Sequence, residues 1–279
     1  MRRALGLVAS LSSACLFPSL DFTGGDAAAD AGIDAPSDAP TETGEAGNDA
    51  GFTAGIGCAA ATSDLLAYYT LDEGTGTTVH DCIQSPKNDG TILAPAHTSW
   101  VTGQHGKALE IDPGTGVCVN IDFTPSFTFG GANPFTVALW IQIVALPPAN
   151  EIGYIAGQSS NISAAGWRFS VGMSGTLLFA VPDGKGGIAN ISGPKQIAAG
   201  AWHHVAAVYA GANSFVYLDS QPGSPQTLVA SFTADGTSDH MRIGCSSDDQ
   251  HQLNARVDDV RFYNRALSGA EIAIVNNAQ

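Results

Sequence analysis

From Leu65 onward the chain breaks into short runs in which apolar residues alternate with polar ones or stand together, separated by clusters of Gly, Asn, Asp and Pro. Alternation with a period of two marks a strand with one buried face, and short apolar runs bounded by turn residues fit strands buried on both faces. The segments that meet these criteria are Leu65–Leu71, Ala108–Ile111, Val117–Ile121, Phe135–Ile143, Ile152–Gly157, Trp167–Val171, Leu177–Val181, His203–Tyr209, Phe215–Leu218, Met241–Ile243 and Arg256–Tyr263. In Phe135–Ile141, Phe135, Val137, Leu139 and Ile141 share one pleat and Thr136, Ala138 and Trp140 the other, so both faces suit a central strand. Trp202, Val205 and Ala207 mark a second core strand, with His203 and His204 on opposite faces. One helix is predicted near the C-terminus: Ser268 caps it, Glu271 stands at the capping-box position, and Ile272 and Val275 follow on one face. This many short strands, more than an immunoglobulin-like domain uses, predicts an all-β sandwich or jelly roll of two packed antiparallel sheets.

Composition agrees: 33 Gly, only 13% charged residues and 8% aromatics are wrong for a helical bundle. The formal charge of −15 excludes a nucleic-acid surface, which needs a basic excess to release counterions, and a basic patch on anionic lipid. That charge is unevenly placed. Residues 16–64 hold no Lys or Arg, and the eight acids from Asp21 to Asp49 are set among Ala, Gly, Pro, Ser and Thr. Their four-residue spacing imitates a helix, but like charges at i,i+4 repel, no apolar stripe accompanies them, and Pro36 and Pro40 interrupt the run. Residues 16–57 therefore read as an acidic, extended, disordered linker. Ahead of it, Arg2 and Arg3 precede a short apolar stretch, Ala4–Leu11, and small residues lead into Cys15. Residues 1–15 have the form of a secretory signal, too short to span a bilayer, and resemble a bacterial lipoprotein signal in which Cys15 is lipidated. Ser12 departs from that pattern, which usually has an apolar residue there, so ordinary signal cleavage is the alternative.

With Cys15 lipidated, Cys58, Cys82, Cys118 and Cys245 remain, an even number in an exported chain, and two disulfides are expected. Of the three connectivities, Cys82–Cys118 with Cys58–Cys245 is the working choice. No CxxC or HxxxH spacing supports zinc instead.

In residues 58–279, the stretch from Leu65 to about Asn276 resembles a laminin-G-like jelly roll of the concanavalin A-like lectin/glucanase superfamily. The likeness lies in ordered segments: LLAYYTLDEGTGTTVHD with NDGTI (65–81 and 88–92), GQHGKALEID (103–112), FTVALWI (135–141), GWRFSV (166–171), AAGAWHHVAAVY (198–209), FVYLDSQ (215–221), MRIG (241–244) and LNARVDDVRFYNRALSGAEI (253–272). Cys82 and the PGTGVCV segment at 113–119 depart from the usual pattern. The resemblance implies a concanavalin A-like sandwich with a short C-terminal helix, a scaffold role for the WHH element, and one structural calcium near the opening Asp/Asn/Gly loop. Asp81, Asn88, Asp89 and Asp258 could supply its oxygens. Asp258 enters because Val260 and Phe262 define an inward pleat and strict alternation puts Asp258 on it, where a carboxylate needs a cation or several donors. The alternative is a carboxylate held by backbone amides or an arginine.

Among aromatics that could stack on sugar rings, Trp100, in a loop-like stretch, and Tyr154 are the candidates for exposure; Trp140, Trp167 and Trp202 read as framework. His203 and His204 point apart and cannot ligate one ion together. Catalysis is the weaker class. The adjacent acid pairs point apart on strands, Glu110 and Asp112 are the nearest thing to a glycosidase pair, and there is no GxSxG or phosphate loop. The expectation is an exported, lipid-anchored outer-membrane or cell-surface protein, touching the membrane through its lipid alone. It would be a non-catalytic module that binds a glycan or an extracellular protein through rim loops at 149–153, 159–166, 183–190 and 246–252. The alternatives are a glycoside hydrolase or polysaccharide lyase of this fold and a structural envelope protein.

Overall fold

The computed structural model describes residues 64–83, 87–112, 117–122, 127, 129–130, 133–158, 166–183, 185, 187–227, 240–246 and 251–278. All lie in one compact unit, Ala46–Gln279. The signal segment, Cys15, the linker and Cys58 fall outside the described residues.

Sixteen strands and one α-helix are formed among the described residues. In chain order they are β1 (Leu65–Tyr69), β2 (Thr78–Val79), β3 (Gly90–Leu93), β4 (Thr98–Thr102), β5 (Lys107–Ile111), β6 (Cys118–Ile121), β7 (Phe135–Ala145) and β8 (Ile152–Gln158). They continue with β9 (Trp167–Gly172), β10 (Thr176–Pro182), β11 (Ile188–Gln196), β12 (Trp202–Tyr209), β13 (Phe215–Leu218), β14 (Gln221–Pro222), β15 (Met241–Ile243), β16 (Asn254–Tyr263) and α1 (Gly269–Asn277). The first sheet runs β14-β13-β12-β7-β16-β5-β4, with β1 also paired to β16; the second runs β11-β10-β9-β8-β15-β6-β3-β2. The ladders within each sheet are antiparallel, as the sequence pattern predicts.

The inner faces meet in one core. From the first sheet come Val137, Leu139, Ile141, Val205, Ala207, Val257 and Phe262; from the second, Ile155, Phe169, Val171, Phe179, Val119 and Ile243. Trp167 is completely buried at the aromatic centre, with ring centroids 5.2 Å from Phe135, 5.9 Å from Phe129 and 6.4 Å from Phe179. Helix α1 starts with the expected capping box of Ser268 and Glu271. Its Ile272 and Val275, with Leu267, join Leu65, Tyr68, Ala138, Ala206, Val208 and Tyr263 in a second apolar cluster. Thus α1 covers part of the outer face of the first sheet.

Two expectations are corrected. Asp258 does not share a pleat with Val260. A bulge between Asp258 and Arg261, with Asp259 at φ 52°, adds a residue to β16. Val257, Val260 and Phe262 all reach the core, while Asp258 lies opposite Trp140 on the outer face. The disulfide pairing also differs. Cys118 is bonded to Cys245, their Cα atoms 5.4 Å apart, because β6 and β15 are hydrogen-bonded neighbours. Cys82 is disulfide-bonded as well, but it packs with the cluster under α1, on the other side of the core from Cys118.

Candidate functional site

The residues expected to share a cation divide between two places. The Asp81 carboxylate accepts four N–H bonds: Oδ1 from the amides of Tyr68 and Ile83, both at 3.0 Å, and Oδ2 from the amide (3.1 Å) and Nδ2 (3.2 Å) of Asn88. Asp89 accepts the Asp81 amide at 2.9 Å, and the Asn88 carbonyl accepts the Tyr69 hydroxyl at 2.6 Å. A carboxylate has about four lone-pair sites, so the loop's own donors fill Asp81; burial still pushes its pKa up. Asp258 lies in another neighbourhood. Its Oδ2 accepts the His105 amide at 3.0 Å, its Oδ1 is buried without a partner, and the carboxylates that act most on it are Asp259 and Asp72. Among the described residues, no group of three or more His, Cys, Asp or Glu side chains could hold a metal ion. The four expected calcium ligands do not form one donor set: three brace the loop after β2, and the fourth faces outward from β16.

Beyond α1, the outer face of the first sheet is built in cross-strand rows. One runs Tyr217, Ala206, Ala138, Arg261, Tyr68; the next His204, Trp140, Asp258; the next Trp202, Gln142, Arg256, Glu110, Ser99. Arg261 is fully buried, its guanidinium 4.1 Å from the Tyr68 ring centroid and NH2 2.8 Å from the Tyr68 hydroxyl. That hydroxyl donates to Asp259, whose other oxygen lies 2.6 Å from His105 Nδ1. His204 is also fully buried, edge-on to Trp140 at 5.5 Å, with neither ring nitrogen partnered. Burial and the charge of Arg261 push its pKa down to about 3, so the imidazole stays neutral and out of reach of a substrate. Burial pushes Asp258 the other way, up to about 8. In the open row, Arg256 Nε donates to Glu110 at 2.5 Å and NH1 to Gln142 at 2.8 Å. Glu110, the nearer half of the only glycosidase-like pair in the sequence reading, is thus tied into an ion pair.

The outer face of the second sheet has a different chemistry. One row crosses seven strands: Thr91, Asn120, Arg242, Gly157, Arg168, Ala180, Asn190. At its centre Gly157 separates two arginines, and Ala180 stands beyond Arg168; both small residues are buried. Thr91 and Asn190 are exposed to solvent, Asn120 is half-buried, and Thr78 on β2 pairs with Thr91 beyond this run. A parallel row carries Tyr154, Ser170, Leu178 and Ser192. Arg168 is half-buried, with its guanidinium carbon 5.5 Å from the Tyr154 ring centroid and Nε buried without a partner. Arg256, Arg261 and Arg265 all pair with carboxylates; Arg168 forms no ion pair among the described residues. Arg242 is 7% exposed and places NH1 3.9 Å from Cys118 Sγ, beside the disulfide.

Tyr154 therefore reaches a polar face, but not as the exposed platform expected of it. It is only 6% exposed, with His251 stacked on its ring at 5.6 Å, and it supports Arg168. Trp100 lies in the edge strand β4, half-buried against the core, and donates Nε1 to the Gly76 carbonyl at 3.3 Å. Trp140 and Trp202 are half-buried on the first sheet, as Trp100 is. Arg168 and Arg242 carry no local motif; only the strand register brings them to one row. Of the rim loops expected to bind, 159–165 and 247–250 lie outside the described residues.

A laminin-G family model, described as the concanavalin A-like lectin/glucanases superfamily, matches residues 119–273. Curated proteins yield no match. Among solved structures, the binding domain of Paraclostridial Mosquitocidal Protein 1 superposes with a TM-score of 0.61 at 17% identity, over 77% of this chain and 52% of that one. The Botulinum Neurotoxin serotype G binding domain gives 0.58 at 10% identity, over 76% and 50%. Trypanosoma rangeli sialidase gives 0.57 at 18%, over 77% and 33%. This chain spans about half or less of those structures, and at such identities the likeness is one of fold.

Proposed function

Because the chain belongs to the concanavalin A-like lectin/glucanase superfamily, we propose that it is a non-catalytic binding module of the cell surface that recognises a glycan on the outer face of its second sheet. The observation that carries this reading is the seven-strand row centred on Gly157. It sets Asn, Thr and Arg side chains on rigid strands around small residues, so hydrogen-bond donors are fixed before a ligand arrives. Sugar hydroxyls need this kind of directional, preorganised donor array. A hydrolytic reading has less support: Glu110 is committed to Arg256 and His204 is sealed from solvent. Export and a lipid on Cys15 belong to the same proposal, on the strength of the Arg2–Arg3 segment and the acidic linker. The linker would then hold the domain away from the bilayer, where a glycan can reach the sheet.

A glycan array probed with the full chain, wild type and Arg168→Ala, tests this. The expected result is retention on at least one glycan class, weakened at least tenfold by the substitution, with thermal melting unchanged because Arg168 is half-buried and unpaired. Retention that Arg168→Ala leaves intact, or turnover of a polysaccharide without retention, would overturn it.

A further inference from the structure

Resting on the glycan reading above, we infer that the preferred ligand is an otherwise neutral glycan that carries an isolated carboxylate sugar, held by the Arg168 guanidinium. Arg168 is the starting point. It sits mid-row on β9, half-exposed, with no ion pair among the described residues and with Nε buried and unpartnered. The Tyr154 ring, itself stacked with His251, lies within cation–π range of the guanidinium, 5.5 Å from its carbon. A guanidinium is matched geometrically by a carboxylate that accepts two parallel N–H bonds, and such charge-assisted pairs are stronger than bonds to neutral hydroxyls. Arg242 stands across Gly157 in the same row; with strands about 4.8 Å apart, the two Cα atoms are separated by about 10 Å. Arg242 is almost fully buried, and Asn120 and Thr91 continue the row with neutral hydrogen-bonding groups.

The charge of the rest of the domain limits how acidic the ligand can be. From Asp64 to the C-terminus the chain has a formal excess of nine negative charges. A dense polyanion would bring many carboxylates against that field, beyond the one that Arg168 can neutralise. A single carboxylate among neutral sugars gains the Arg168 contact and meets little of the repulsion.

The test is calorimetric titration of the full chain with four probes: a neutral oligosaccharide, the same oligosaccharide ended by one glucuronic or sialic acid, the methyl ester of that acid, and polygalacturonate. The expected order puts the singly acidic oligosaccharide at least tenfold tighter than its methyl ester and than polygalacturonate. Arg168→Lys, which keeps the charge and loses the fork, should cost about as much as esterification. Equal affinity for acid and methyl ester, with binding still lost in Arg168→Ala, overturns the carboxylate inference and leaves the glycan site standing. Tighter binding of polygalacturonate overturns the isolated-charge inference alone. Silence toward all four probes, together with an empty array, removes both readings.

Discussion

Asp259 carries more of this structure than its short side chain suggests. At φ 52° it occupies a backbone region that Asp tolerates better than most residues. The extra residue it adds to β16 turns Asp258 away from the core. In the sequence the two acids look like any strand pair, and a period-two reading puts Asp258 inside; one unannounced residue inverts that reading. Trp167 is the opposite case, a residue whose role the pattern does reveal. It is completely buried among Phe129, Phe135 and Phe179. Trp167→Ala should destabilise the domain by about 3–5 kcal/mol, seen as an earlier midpoint in urea with the slope unchanged. Arg168 was legible to neither kind of reading. It follows a core tryptophan in a framework segment, and its isolation from carboxylates is a property of the folded sheet, not of its neighbours in sequence.

At the level of elements, the strands that the sequence pattern misses are β2, β3, β4, β11 and β14. Four of these are the outermost strands of the two sheets, and β3 is next to one. An edge strand buries little, so it need not alternate: β11 even holds Gly193 and Pro194, residues that a central strand excludes. The interior strands, and α1 with its capping box, are set by burial and end chemistry that one sequence displays. The row His204, Trp140, Asp258 shows what burial does to charge within a sheet. Asp258, at about 8 in the fold, keeps its proton while the unfolded chain loses one near pH 4, so its contribution to stability falls as pH rises from about 4 to 8. His204, at about 3 in the fold, stays neutral while the unfolded chain gains a proton below about pH 6.5, so its contribution is lost as pH falls from there toward 3. The two slopes oppose each other. Urea midpoints measured across pH 4–8 should lose part of their alkaline decline in Asp258→Asn and part of their acid decline in His204→Asn, and neither change should occur in the other variant.

For the whole molecule, the Cys118–Cys245 bridge is the covalent counterpart of strand pairing between β6 and β15. The bonded residues are 127 apart in sequence, so the bridge removes a large loop entropy from the unfolded chain, worth about 4–5 kcal/mol on a chain-entropy estimate. Cys118→Ser with Cys245→Ser should lower Tm by roughly ten degrees, and the oxidised wild type should fall at least as far on reduction, which also opens the bridge at Cys82. Sheet order has a further effect. The strand at the heart of the first sheet is β16, which pairs with β1, β5 and β7 and is the last strand to leave the ribosome among those described. Until it emerges, the earlier strands lack the partner that joins β7 to β5, and the distant contacts it makes are slow to form. A chain built in this order can close its first sheet only once nearly all of it has been synthesised.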